Sequence, residues 1–174
     1  MKSLSGLKAI IMAGGKGTRL SPFKPLLDLC GYPMYYWVYR NLLNFTNEIY
    51  LAITPYSPLI FSEFRKVITE GKGYEYDVIE AIKKVGFPVI IVPSDTPFIP
   101  EEAMYKLFNC EKPICSLLTK SGYVGISLWK EFKFNEYENV YFEKEIINVN
   151  TLSDYLNVKN LCKSMEYNKW LKEY

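Results

Sequence analysis

The chain has no histidine among its 174 residues. That absence removes Ser-His and Cys-His nucleophilic machinery and every form of imidazole acid–base chemistry. Cysteine is scarce, and Cys30, Cys110, Cys115 and Cys162 form no C-x-x-C pair. Without imidazole partners they make a poor zinc set and read as buried thiols. No apolar stretch approaches the roughly 20 residues that a membrane helix needs. The opening Met1-Lys2-Ser3-Leu4-Ser5-Gly6 is too short to serve as a secretory signal. A net charge of +2 argues for neither nucleic acid nor a bilayer surface as a partner. The expectation is a cytoplasmic protein whose chemistry rests on carboxylates, lysines, backbone donors and a bound metal. With 49% apolar and 23% charged residues, the chain is expected to fold as one domain over 1–174.

What is present concentrates near the start. Residues 10–20 read Ile-Ile-Met-Ala-Gly-Gly-Lys-Gly-Thr-Arg-Leu, and Lys24-Pro25-Leu26-Leu27 follows. An apolar run, a glycine-rich bend with Lys16, Thr18 and Arg19, and one more lysine suit a nucleoside triphosphate. Glycines let backbone N–H groups approach phosphate oxygens closely, while the cations offset several negative charges in a small volume.

Hydrophobic patterning places strands at Leu7–Ala13, Glu48–Thr54, Lys66–Thr69, Phe87–Pro93, Ile114–Leu118 and Tyr123–Trp129, and a less clean one at Tyr141–Val149. Helices are expected over Met34–Leu43 after Pro33, over a short Pro58–Arg65, over Tyr74–Val85, and from Pro100-Glu101-Glu102 onward. A last helix runs from the capping-box-like Thr151-Leu152-Ser153-Asp154 to about Met165. Alternating strands and helices, with several strands apolar on both faces, imply a mainly parallel sheet covered on both sides. Ligands in such sheets bind beyond the carboxyl ends of the strands. The glycine bend, the Gly71-Lys72-Gly73 turn and Asp95 all lie on that rim. An unpaired edge strand leaves room for a homodimer.

Two familiar glycine motifs fail on particular residues. A P-loop needs G-x-x-x-x-G-K-[S/T], which Gly15-Lys16-Gly17-Thr18 does not provide. A dinucleotide fingerprint needs a third glycine, where this chain has Leu20. The pattern Ala13-Gly14-Gly15-x-Gly17-Thr18-Arg19-Leu20 followed by Lys24-Pro25-Leu26 instead resembles the nucleotidyltransferases that activate sugar phosphates and cofactor precursors. Gly71-Lys72-Gly73-Tyr74 and Asn148-Val149-Asn150-Thr151, each before a helix, are similar to segments of the archaeal adenosylcobinamide-phosphate guanylyltransferases. Molybdenum cofactor guanylyltransferases share the opening loop, the lysine and the Asp-x-Pro turn.

The resemblance implies a three-layer αβα, Rossmann-like (GT-A-like) nucleotidyltransferase with a mainly parallel mixed sheet. It implies transfer of GMP from GTP to a phosphorylated cofactor precursor, with Mg²⁺ and release of pyrophosphate. Lys24 is then expected at the α-phosphate and Arg19 at the β,γ-phosphates, where a guanidinium binds in a bidentate way. Met12, Ala13 and Gly14 offer backbone groups to base and ribose, and Gly15, Lys16, Gly17 and Thr18 serve the phosphates. Thr54, Glu70, Gly71 and Gly73 approach the guanine or ribose. Asp95 is the expected Mg²⁺ ligand, its bland alternative being an Asx turn, and Asn150 a neutral second ligand or a helix cap. Between Leu118 and Gly122 the chain is short where that family has an excursion on the acceptor side. Two other readings therefore stay open: a molybdenum cofactor guanylyltransferase, and a nucleotide-binding regulatory module without transfer.

Overall fold

A computed structural model describes residues 4–15 and 23–163. Why the first strand forms is plain from its composition. In β1 (Lys8–Met12) the residues Ala9, Ile10, Ile11 and Met12 are all buried, because helices cover both faces of the sheet there. It pairs in parallel with β4 (Ile49–Ile53) on one side and β6 (Val89–Pro93) on the other. β4 in turn pairs in parallel with β5 (Lys66–Ile68). Between β1 and β4 lie a small hairpin, β2 (Asp28–Leu29) with β3 (Tyr32–Pro33), and helix α1 (Met34–Leu43). The hairpin turn places Cys30 and Gly31 at positive φ, 54° and 87°, as a two-residue turn of this twist demands. Helix α2 (Tyr74–Val85) links β5 to β6, and α3 (Glu101–Asn109) follows β6.

Beyond β6 the sheet changes character. β7 (Ile114–Thr119) and β8 (Gly122–Trp129) form an antiparallel hairpin closed at Lys120-Ser121, and β8 lies next to β6, antiparallel to it. β9 (Tyr137–Tyr141) pairs in parallel with β7 at the sheet edge. The seven-stranded order is β5-β4-β1-β6-β8-β7-β9. The strand order reverses beside β1, which is where such sheets open a ligand crevice.

Three layers result. On one face α1 and α3 pack against Ala9, Ile11, Leu51, Ile53, Ile90, Val92, Val124, Ile126 and Leu128. On the other, α2 supplies Val78, Ala81 and Ile82 against Ile10, Met12, Ala52, Val67, Val89 and Ile91. A third cluster (Leu29, Met34, Trp37, Val149 and Val158) ties α4 (Leu152–Cys162) to the hairpin and α1. The three-layer, mainly parallel architecture expected from the sequence is the one observed.

Three expectations need correction. The strand expected over Tyr141–Val149 lies earlier, at Tyr137–Tyr141. As a sheet edge β9 is almost wholly exposed and needs no apolar alternation, whereas Phe142, Ile146 and Val149 are buried from an irregular segment. The segment Pro58–Arg65 makes one 3₁₀ turn, Pro58–Phe61, capped by Ser57. Cys30, Cys110 and Cys115 are not thiols. Cys110, at the C-terminal cap of α3, and Cys115 of β7 approach to a Cα separation of 6.3 Å and are joined by a disulfide. Cys30 is disulfide-bonded as well. Among the described residues, no helix is long and apolar enough to cross a membrane.

Candidate active site

The carboxyl ends of β1, β5 and β6 meet at a cleft of about 460 Å³. Its wall is built from Met12, Gly14, Gly15, Lys24, Pro25, Thr69, the Gly71–Tyr74 turn, Asp77 and the Pro93–Asp95 segment. A second hollow of about 410 Å³ opens beside it toward β4 and β5. It shares Gly14, Gly15, Pro25 and Gly71 with the cleft and adds Ala13, Thr54, Tyr56, Ser57, Pro58 and Glu70. The sequence-expected residues that the structure describes thus converge on one rim, except Asn150, which reaches it from the start of α4.

Gly71 owes its identity to geometry. Its φ is +73°, and a Cβ there would lie 2.9 Å from Cγ2 of Thr54, closer than side-chain carbons tolerate. The Gly71 N–H donates to Oδ1 of the buried Asp77 at 2.9 Å, so the first turns of α2 pin the turn that precedes them. Glu70 is exposed, pairs with Lys72, and donates its backbone N–H to Glu80 Oε2 at 2.9 Å.

Lys24 opens a 3₁₀ turn (Lys24–Leu26) with Pro25 buried behind it. Its ammonium donates to Asp95 Oδ2 at 2.6 Å and to Asn150 Oδ1 at 3.0 Å. The Lys24 and Asp95 side chains are only 15% and 19% exposed. A charge pair so far withdrawn from water persists only when its remaining donors and acceptors are matched. Here Asn150 supplies a second acceptor to the ammonium. Asn148 Nδ2 lies 3.3 Å from Asp95 Oδ1, 2.8 Å from Thr96 Oγ1 and 3.2 Å from the Val124 carbonyl. Asp95 therefore spends its carboxylate on distant partners rather than on an Asx turn.

The surroundings hold these groups still. Asn41 of α1 donates to the Pro97 carbonyl at 2.9 Å, fixing the segment after Asp95 from below. The Val149 N–H donates to the Asp95 carbonyl at 2.8 Å. At the start of α4, Asp154 Oδ2 accepts from the N–H groups of Asn150 (3.0 Å) and Thr151 (2.8 Å), while Thr151 Oγ1 accepts from the Asp154 N–H. Burial works against the Asp154 charge. The hydrogen bonds from Thr151 and Asn150 and the nearby Lys24 outweigh it and hold the carboxyl below its usual range. This capping box orients the residue that touches Lys24.

Tyr74, the first residue of α2, exposes its ring edge but turns its hydroxyl inward to donate to the Gly125 carbonyl at 3.0 Å. Desolvation of that hydroxyl, with the negative Asp95 nearby, pushes the phenol well above its ordinary pKa.

Lys16, Gly17, Thr18 and Arg19 lie outside the described residues. The sequence gives no site role to Asp77 or Thr69, and it marks Tyr74 and Asn148 only as members of the Gly71–Tyr74 and Asn148–Thr151 segments. Thr69 is buried on the cleft wall with a hydroxyl that has no partner. Asp77 is hidden in a good helical pattern. Among the described residues, no group of three or more His, Cys, Asp or Glu side chains is placed to hold a metal.

Similarity to known proteins bears on this geometry. An adenosylcobinamide-phosphate guanylyltransferase from Methanocaldococcus jannaschii is 36% identical over 101 residues. That match covers 51% of this chain and 52% of the relative, so the chain spans about half the length of that curated relative. The crystal structure of molybdopterin-guanine dinucleotide biosynthesis protein A from Archaeoglobus fulgidus superposes with a TM-score of 0.71 at 16% identity, covering 91% of this chain and 100% of that one. A Mycobacterium tuberculosis protein crystallised with manganese superposes with a TM-score of 0.69 at 11% identity, covering 88% and 98%. At those identities the two structures establish the fold alone. A family model described as a MobA-like NTP transferase domain matches residues 9–137, which span the glycine bend, Lys24, the Gly71 turn and Asp95, and the chain belongs to that family.

Proposed function

We propose that the chain transfers GMP from GTP to adenosylcobinamide phosphate and releases pyrophosphate. The observation that carries the proposal is the meeting of Lys24, Asp95 and Asn150 at the edge of the nucleotide-sized cleft, together with the 36% identical relative of that name. An oxygen of the acceptor's phosphate attacks the α-phosphorus of GTP. The new P–O bond forms as the bond to the bridging oxygen breaks, and that electron pair leaves with pyrophosphate. A phosphate monoester has its second pKa at about 6, so near neutral pH the attacking group is already a dianion. No general base is required, which suits a chain without histidine. Catalysis then consists of positioning and of offsetting charge.

Lys24 is assigned to the α-phosphate and Arg19 to the β,γ-phosphates. Met12, Ala13 and Gly14 offer backbone groups to the nucleoside, while Gly15, Lys16, Gly17 and Thr18 serve the polyphosphate. Thr54, Glu70, Gly71 and Gly73 surround the guanine. A carboxylate there accepts from guanine N1–H and N2–H, an arrangement that adenine cannot match.

For the metal, the donor chemistry fits. Asp95 Oδ2 and Asn150 Oδ1 already converge on one cation, the Lys24 ammonium. One carboxylate and one amide oxygen suit Mg²⁺, which keeps its other positions for phosphate and water. When bound, the ion offsets polyphosphate charge. The manganese in the Mycobacterium tuberculosis structure supports a divalent ion in this fold. A cytoplasmic setting, where nucleoside triphosphates are supplied, is part of this reading.

Incubation with GTP, Mg²⁺ and adenosylcobinamide phosphate should release pyrophosphate. No release above a Lys24→Ala control refutes the reaction. Replacing the acceptor by molybdopterin in the same assay separates the two cofactor branches. Thermal shifts with ATP, GTP, CTP and UTP should single out GTP.

A further inference from the structure

Tyr74 divides two hollows. One side faces the cleft; the other faces a groove of about 440 Å³ between α2 and the uncovered face of β8. The origin of that groove lies in the burial alternation of β8. Val124, Ile126 and Leu128 point under α3, whereas Tyr123, Gly125, Ser127 and Trp129 alternate onto the opposite face. Helix α2 packs on β5, β1 and β6 and stops short of covering β8. Tyr123 and Phe134 are left 64% and 61% exposed at the groove. Val78, Ile79 and Trp129 complete an apolar lining, in which Glu75 is the single charged residue among those described.

Groove and cleft adjoin across Tyr74. Gly125 has a φ of +78°, and a Cβ there would lie 2.7 Å from Pro93 Cγ and 3.3 Å from the Tyr74 hydroxyl. The strand is thus pressed against the end of β6, where Pro93 also lines the cleft. The hollow with Thr54 and Glu70 lies on the opposite flank, past Gly14 and Gly71. The order across the rim is nucleoside hollow, cleft with Lys24 and Asp95, then aromatic groove.

We infer that the groove seats the body of the phosphorylated acceptor, and that this body is broad, presents an apolar face and is either uncharged or cationic. The inference rests on the transfer reaction proposed above. With the nucleoside on the β4–β5 flank, the β8 flank is the free approach to the α-phosphorus. The acceptor's phosphate belongs at the lysine end, because the groove offers an anion nothing but the Glu75 carboxylate. A flat apolar face gains contact with Tyr123, Trp129 and Phe134, and aromatic faces favour this kind of stacking.

Steady-state transfer by the full chain is measured with Tyr123→Ala and Phe134→Ala, varying adenosylcobinamide phosphate and GTP in turn. Each variant should raise the acceptor KM about tenfold while the GTP KM stays within about twofold. An unchanged acceptor KM overturns the inference, as does an equal rise in both constants. A second readout needs no turnover. Adenosylcobinamide phosphate absorbs visible and near-ultraviolet light and should quench tryptophan fluorescence without GTP, a response much reduced in Trp129→Phe, which keeps the two other tryptophans. No Trp129-dependent quenching overturns the inference even where transfer proceeds. If the unaltered chain releases no pyrophosphate but the quenching is present, the reaction fails and the groove stands. Light scattering closes the remaining route: a dimer that dissociates in Tyr123→Ala makes a second copy the occupant and overturns the inference.

Discussion

The two halves of the sheet obey different rules. From β5 to β6 the strands are parallel and roofed by helices on both faces, and β1 and β6 are buried almost throughout. Beyond β6 one strand, β8, runs antiparallel to its neighbours and is roofed on one face, so it alternates between buried and half-exposed residues. The first half spends its strand ends on close backbone turns, as at Gly71, and on the Lys24–Asp95 pair. The second offers aromatic surface and no comparable charge. A polyanion and a bulky organic body have opposite requirements, and the fold provides for each on its own half.

The comparison breaks most sharply at Lys24. Lys24→Ala removes the ammonium from Asp95 and Asn150 and is expected to lower kcat by about 10²–10³, as loss of one preorganised charge does, with a smaller change in GTP affinity. Single-turnover kinetics checks this. An unchanged rate would mean that the polar half does not carry the transfer. Next comes the seam. Gly125→Ala puts a Cβ into Pro93 at a backbone angle that disfavours it, with an expected cost of about 2–3 kcal/mol read by denaturant unfolding. Acceptor KM should rise with it, because Tyr74 loses its place against the Gly125 carbonyl.

Asp154→Ala is a smaller change. Loss of the capping box should cost about 1 kcal/mol in a thermal or denaturant melt. Because Asp154 is held below its ordinary pKa, its contribution is complete above the usual carboxylate range and disappears as pH falls through the lower folded value. The stability gap between the unaltered chain and Asp154→Ala should therefore close on acidification. A gap that is constant with pH would show that the carboxylate charge does not matter. Smallest of all is Tyr123→Ala in the same melt: an exposed ring on an open face should shift stability by less than about 0.5 kcal/mol.

How legible each half was in the sequence follows from the same contrast. Helices Met34–Leu43 and Tyr74–Val85 were placed to the residue, because Pro33 and the Gly73 and Gly86 punctuation bound strongly periodic segments. The rim was legible because glycines and cations cluster at strand ends. Asp95 and Lys24 were both named from sequence, but their contact was not, since no spacing reveals a pair 71 positions apart. The second half misled more. β9 is polar enough to look like a loop, and the buried Phe142, Ile146 and Val149 mimic a strand. The Cys110–Cys115 bridge joins a helix end to a strand start across five positions, a spacing that carries no signal. The alternation Tyr123, Gly125, Ser127, Trp129 was present in the letters. It gained meaning only once α2 was seen to stop short of it.

The two-residue bend at Lys120-Ser121 has a last consequence. A hairpin closed so tightly raises no parapet along its side of the molecule, and the aromatic shelf beside it runs out to solvent. Cargo resting there meets a bench rather than a box, so the described residues set no ceiling on its bulk. Discrimination must then fall on the small end that reaches in past Tyr74, whatever the size of what trails behind.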